Sequence, residues 1–113
     1  MRYLVLLMFV TIGCDAITPE TKTTIRYEVS GTYETANIRY DNGEGGTDDY
    51  NDVPLPWSKT VEVGKDDLIQ LSAHPDWDAG SGSITVEIFR EGRSIESSTS
   101  NGDFPHAIAT VKL

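Results

Sequence analysis

From Thr23 onward apolar and polar residues alternate with a period of two. In TTIRYEVSG, Ile25, Tyr27 and Val29 share one face while Thr24, Arg26 and Glu28 share the other, the pattern of a half-buried strand that Gly31 ends. ANIRYDNG repeats it with Ile38 and Tyr40 inward and Arg39 outward, and Asn42-Gly43 then announces a turn. WSKTVEV puts Val61 and Val63 in phase, and LIQLSAH does the same for Ile69, Leu71 and Ala73. SITVEIFREG, with Ile84, Val86 and Ile88, has the clearest alternation; Gly92 forms a tight turn into RSIESST, and FPHAIATVKL closes the chain with Ala107, Ala109 and Val111 on one face.

No segment of this region carries the apolar stripe at i, i+3, i+4, i+7 that a helix needs. About seven short strands separated by Gly, Asn, Asp and Pro predict an all-β fold, a small antiparallel two-sheet sandwich of immunoglobulin-like kind. The cysteine pair of antibody domains is absent, and a small closed barrel is the alternative.

The first residues have a different character. Arg2 precedes an apolar run of eight residues, Tyr3 to Val10, whereas a helix that spans a bilayer needs about 20. The run ends in Thr11-Ile12-Gly13-Cys14, which resembles the lipobox of bacterial lipoproteins, although Thr11 stands where Leu is usual. That resemblance implies alkylation of the Cys14 thiol by diacylglycerol and cleavage after Gly13. It also accounts for a chain with a single cysteine, which has no internal partner. Residues 1–13 are then a signal peptide, 14–22 a lipidated cysteine and a polar tether interrupted by Pro19, and 23–113 one β-sandwich domain. With two or three acyl chains the membrane attachment is stable where one chain is marginal, so the protein is expected in the bacterial envelope, lipid-anchored, facing the periplasm or the cell surface.

Acidic residues outnumber basic ones by 18 to 9, and loss of Arg2 with the leader leaves 8 basic residues. Such a surface repels phosphate backbones, so nucleic acid is not an expected partner.

A longer order of motifs runs through the domain. Tyr27-Glu28-Val29-Ser30-Gly31 leads to Ile38-Arg39-Tyr40, then to Leu55-Pro56-Trp57-Ser58-Lys59, then to Ile84-Thr85-Val86-Glu87-Ile88, Gly92 and the Ala107–Ala109 pair. This order resembles the extracytoplasmic domain of the mycobacterial membrane protein small (MmpS) family and its lipoprotein relatives, with Pro56-Trp57-Ser58-Lys59 as its most specific element. The resemblance implies a β-sandwich on an amino-terminal anchor that serves as an accessory subunit of envelope exporters. Here a lipobox replaces that family's transmembrane helix, and the paired cysteines of several members are missing. No catalytic residue carries over.

Candidate sites are few. The segment 41–52 holds Asp41, Glu44, Asp48, Asp49 and Asp52 among glycines and asparagines; oxygen ligands on such a backbone suit Ca²⁺, while the spacing fails the EF-hand pattern and equally suits a solvated hairpin loop. No other cofactor is expected. Trp57, following Pro56 at a strand start, reads as rim packing or a ligand platform, and Trp77, flanked by Asp76 and Asp78 in a loop with no strand face to join, reads either as a loop residue without a binding role or as an exposed anchor for a protein or a sugar. His74 and His106 stand far apart with no recognised metal spacing and read as structural, and no G-x-S-x-G or phosphate-cradling loop is present. The expected function is therefore a non-catalytic interaction or accessory module with an envelope protein as partner. The alternative is a module that binds Ca²⁺ through the acidic segment or a glycan through the Trp77 loop.

Overall fold

The computed structural model describes residues 22–113; residues 1–21, and with them Cys14, the leader and nearly all of the tether, lie outside the described residues. The domain is an all-β sandwich of eight strands: β1 (Lys22–Gly31), β2 (Thr35–Asp41), β3 (Thr47–Pro54), β4 (Trp57–Gly64), β5 (Leu68–His74), β6 (Gly82–Arg90), β7 (Arg93–Gly102) and β8 (Ala107–Lys112). They form two antiparallel four-stranded sheets, ordered β4-β1-β6-β7 and β3-β2-β5-β8. Every described ladder lies within one sheet or the other, so the architecture is a sandwich and not the closed barrel. The second sheet has the strand order of the C′CFG sheet of immunoglobulin domains. The fold departs from that plan because the β6–β7 hairpin, which extends the first sheet, is inserted between the last two strands of the second. Among the described residues no helix is long and apolar enough to cross a membrane.

Alternation carries the core as expected. Ile25, Tyr27, Val29, Ile84, Val86 and Ile88 from one sheet meet Ile38, Tyr40, Ile69, Leu71, Ala73, Ala107 and Ala109 from the other, all buried. Val63 is buried with them, while Val61 and Val111 pack at the margin. Tyr27 and Tyr40 face each other across the sandwich with ring centroids 5.1 Å apart. Their hydroxyls reach partners at its edge, Tyr27 donating to the Asp41 carbonyl at 2.8 Å and Tyr40 to Asp48 Oδ2 at 3.2 Å. Burial, and secondarily neighbouring groups led by Asp41 for Tyr27 and Tyr50 for Tyr40, raises both phenol pKa values well above the ordinary range.

The eighth strand, β3, lies in the acidic stretch expected to be a loop. Only Asn42–Gly46 turns there, closed by the Asn42 amide donating to the Gly46 carbonyl at 3.0 Å, and the chain then returns along β2. The polar composition of β3 hides it from a reading of hydrophobic alternation, since an edge strand facing solvent has little apolar surface to bury.

The two ends of the sandwich are distinct. At one end Lys22 opens β1 opposite Gly64, the Glu91 turn bonds back to Thr24, and Leu113 and Asp67 close the other sheet. At the far end lie Gly31 beside Ile84, the 75–81 loop, and the chain entering β8 at Ala107 opposite Ala73. The loop that carries Trp77 is thus at the opposite end from the segment that leads back towards Cys14.

Candidate binding face

The outer face of the β3-β2-β5-β8 sheet is built by the same alternation that fills the core. Register pairs Asp49 with Arg39, Arg39 with Ser72, and Ser72 with Ile108, which makes one row across four strands. A second row pairs Asn37 with His74, and continuation of the β5–β8 ladder one residue past Ala73 and Ala107 brings His106 beside His74. Asn37, Arg39, Asp49, Asn51, Ser72, His74 and His106 line an open basin of about 350 Å³.

Electrostatics within the basin are largely balanced. Arg39 Nε donates to Asp49 Oδ1 at 2.6 Å and its Nη2 to Oδ2 at 3.2 Å, a two-pronged pair on an exposed face. The hydrogen bond from Arg39 holds the Asp49 carboxyl below the usual carboxylate range. The imidazoles of His74 and His106 lie edge to face at 5.2 Å, and the Phe104 ring packs on His74 at 5.6 Å. Burial first, and then the neighbouring His74, lowers the pKa of His106. His74 Nδ1 lies 2.9 Å from the Pro75 carbonyl, which only accepts, so Nδ1 donates this hydrogen bond.

Asn37 links the basin to the loop beside it. Its Oδ1 accepts from the Asp52 amide at 3.0 Å, and its Nδ2 donates to Asp76 Oδ1 at 3.1 Å. Asp76 starts a turn closed by the Ala79 amide, and the next residue, Trp77, is 84% exposed. Phe104, in the connection that enters β8, and Ile108, on β8 itself, add exposed apolar surface at the same end. Trp57, by contrast, is half-buried at the start of β4 and packs against Tyr40 at 5.6 Å.

The acidic residues expected to offer Ca²⁺ ligands are not brought together. Strand geometry sends Asp48 inward to Tyr40 and Asn42 and Asp49 outward to Arg39. Asp41 accepts the Gln70 amide at 2.8 Å, Glu44 sits exposed in the turn, and Asp52 lies at a bulge with φ 56°. Among the described residues no three His, Cys, Asp or Glu side chains converge as a metal-binding group. The acidic stretch read as a loop is thus largely an edge strand, in which Asp48 bonds to Tyr40 and Asn42 and Asp49 to Arg39.

Sequence reasoning missed the neighbourhood of His74 and His106 because 31 residues, including a hairpin on the other sheet, separate them. The signal was present in outline: both precede or end an alternating strand at its polar phase, so pairing of those two strands alone would have aligned them. No family model matches the chain, and no curated protein matches it.

Proposed function

We propose that this protein is a lipid-anchored component of the bacterial envelope whose β-sandwich is a non-catalytic interaction module, an accessory domain of a transport or envelope complex. The observation that carries this reading is position. The open basin and the exposed Trp77 loop extend to the end of the sandwich opposite Lys22, so a chain tethered through Cys14 presents them away from the bilayer. Eight residues from Cys14 to Lys22 reach roughly 26 Å when extended, enough to clear the headgroups. Fixed donors and acceptors flanked by exposed rings suit a protein surface, where aromatic residues anchor and polar rows set the register. The likeness of Pro56-Trp57-Ser58-Lys59 and its neighbours to the MmpS family points to the same accessory role.

The test is a capture from detergent-solubilised membranes with the wild-type chain and with a variant carrying Arg39→Ala and Asn51→Ala, two solvent-facing changes. One reproducible partner retained by the wild type and lost by the variant supports the reading. Equal recovery by both, or no reproducible partner across several detergents, rejects it.

The exposure of Trp77 favours one second reading, in which the loop stacks on a glycan. Quenching of tryptophan fluorescence by soluble cell-wall oligosaccharides, abolished by Trp77→Ala, would support it. Titrations without any such change would remove it.

A further inference from the structure

We propose that the end of the sandwich opposite Lys22 docks a cationic segment of a partner protein, a stretch carrying Lys or Arg, with the Trp77 ring as its anchor. The inference rests on the reading of the domain as an interaction module and names the chemistry of the partner.

The Trp77 ring contributes nothing to the fold. It is 84% exposed and stands outside the core, yet the loop that carries it is fastened on both flanks. On one side Pro75 is buried, Asp76 Oδ1 accepts from Asn37 Nδ2, and the Asp76 carbonyl accepts the Ala79 amide at 3.0 Å. On the other the Gly80 carbonyl accepts the Tyr33 hydroxyl at 2.7 Å, and Ser81 Oγ donates to Asp103 Oδ1 at 2.5 Å. A large ring held in water by a tied loop loses little conformational freedom when a partner covers it, which is the property of an interface anchor.

Charge supplies the chemistry. Glu34, Asp52, Asp76, Asp78 and Asp103 all lie at this end, and none of the eight Lys and Arg of residues 22–113 does. Lys22, Lys65, Arg90, Arg93 and Lys112 gather at the opposite end; the other three lie along strands, where Arg26 and Arg39 are paired with Glu28 and Asp49. β1 has 10 residues and spans about 33 Å at roughly 3.3 Å per residue, several times the roughly 8 Å over which salt screens a charge, so the basic end does not neutralise the acidic one. An ammonium or guanidinium group stacks on an indole face, and the flanking carboxylates of Asp76 and Asp78 are placed along the chain to accept its N–H groups. A neutral glycan gains no ion pair from this surface, and an anionic partner is repelled by it.

The experiment titrates the full chain in detergent with a short synthetic peptide of alternating Lys and Ser and with its Glu–Ser counterpart, read by tryptophan fluorescence and calorimetry. The lysine peptide should bind saturably and change the emission, and the glutamate peptide should do neither. Trp77→Ala should remove the emission change and weaken binding by at least about tenfold. Glu34→Lys with Asp78→Lys should weaken it as much, whereas Glu44→Lys with Glu96→Lys, two exposed positions away from this end that alter net charge equally, should change affinity by less than about twofold. No saturable binding of the lysine peptide up to about 1 mM, wild-type affinity in Trp77→Ala, or equal loss in the two double variants would each overturn the proposal. Saturable quenching by soluble cell-wall oligosaccharides, with no response to the lysine peptide, would overturn it in favour of the glycan. The titration needs neither Cys14 nor a captured partner, so its failure is distinguishable from failure of the capture experiment.

Discussion

Asn37 holds Asp52 in a left-handed conformation. Between Ala36 and Ile38 the β2–β3 register shifts, so that Asn37 alone faces Asn51 and Asp52, and the bulge turns the Asp52 backbone to φ 56°. The side-chain carbonyl of Asn37 accepts the Asp52 amide that the ladder no longer serves. Bulges of this kind re-aim neighbouring side chains, and here the same asparagine also grips the Trp77 loop through Asp76.

Asn37→Ala should therefore destabilise the domain by about 1–2 kcal/mol, through loss of two hydrogen bonds and an unmet amide. Asp52→Gly should do the reverse, because glycine adopts positive φ without a Cβ penalty, with a gain of up to about 1 kcal/mol. Urea unfolding of both variants measures the pair; a neutral Asn37→Ala would mean the bulge does not depend on it.

Tyr27→Phe should cost about 1 kcal/mol, since the ring still fills the core but the Asp41 carbonyl loses its buried donor. Thermal melting reads this directly. Ile88→Ala, which opens a cavity in the same core, should cost more, about 2–5 kcal/mol.

Glu91 predicts a pH dependence. In the β6–β7 turn, with φ 50° at Glu91 and 82° at Gly92, the carboxylate accepts the Thr24 amide and the Thr23 hydroxyl, both at 2.9 Å. These bonds, the Thr24 amide first, hold its pKa below the ordinary value. A folded-state pKa below the unfolded one means that the unfolded chain binds more protons, so the contribution is present above the ordinary glutamate value of about 4.3 and is lost as pH falls through the lower folded value. The urea midpoint of the wild type should drop across that acid range, and Glu91→Gln should flatten this part of the profile.

Cys14→Ser should abolish incorporation of a clickable palmitate analogue in cells and shift the protein from the membrane to the soluble fraction. Unlabelled wild-type protein would remove the anchor from the account.

Most of the sandwich is legible in the alternation itself, because every strand that contributes to the core has a face to bury. Ile84, Val86 and Ile88 declare β6 without ambiguity, and Glu91-Gly92 marks its turn. β3 escapes because Asp48, Tyr50 and Asp52 carry no burial signal and its pairing comes from Arg39–Asp49 and Tyr40–Asp48 across the ladder. The face is harder to read than the core, since a row such as Asn37, His74 and His106 exists only after three strands distant in sequence have found their register. Trp77 is the exception: two flanking aspartates and a loop context already mark it as exposed.

The central claim is that the domain binds through the outer face of the β3-β2-β5-β8 sheet. A photoreactive amino acid at Asn51, on that face, and at Thr99, on the outer face of the other sheet, tests it in living cells. The account predicts one discrete crosslinked species from position 51 and none from position 99. No adduct from position 51, or the same adduct from both positions, would contradict it.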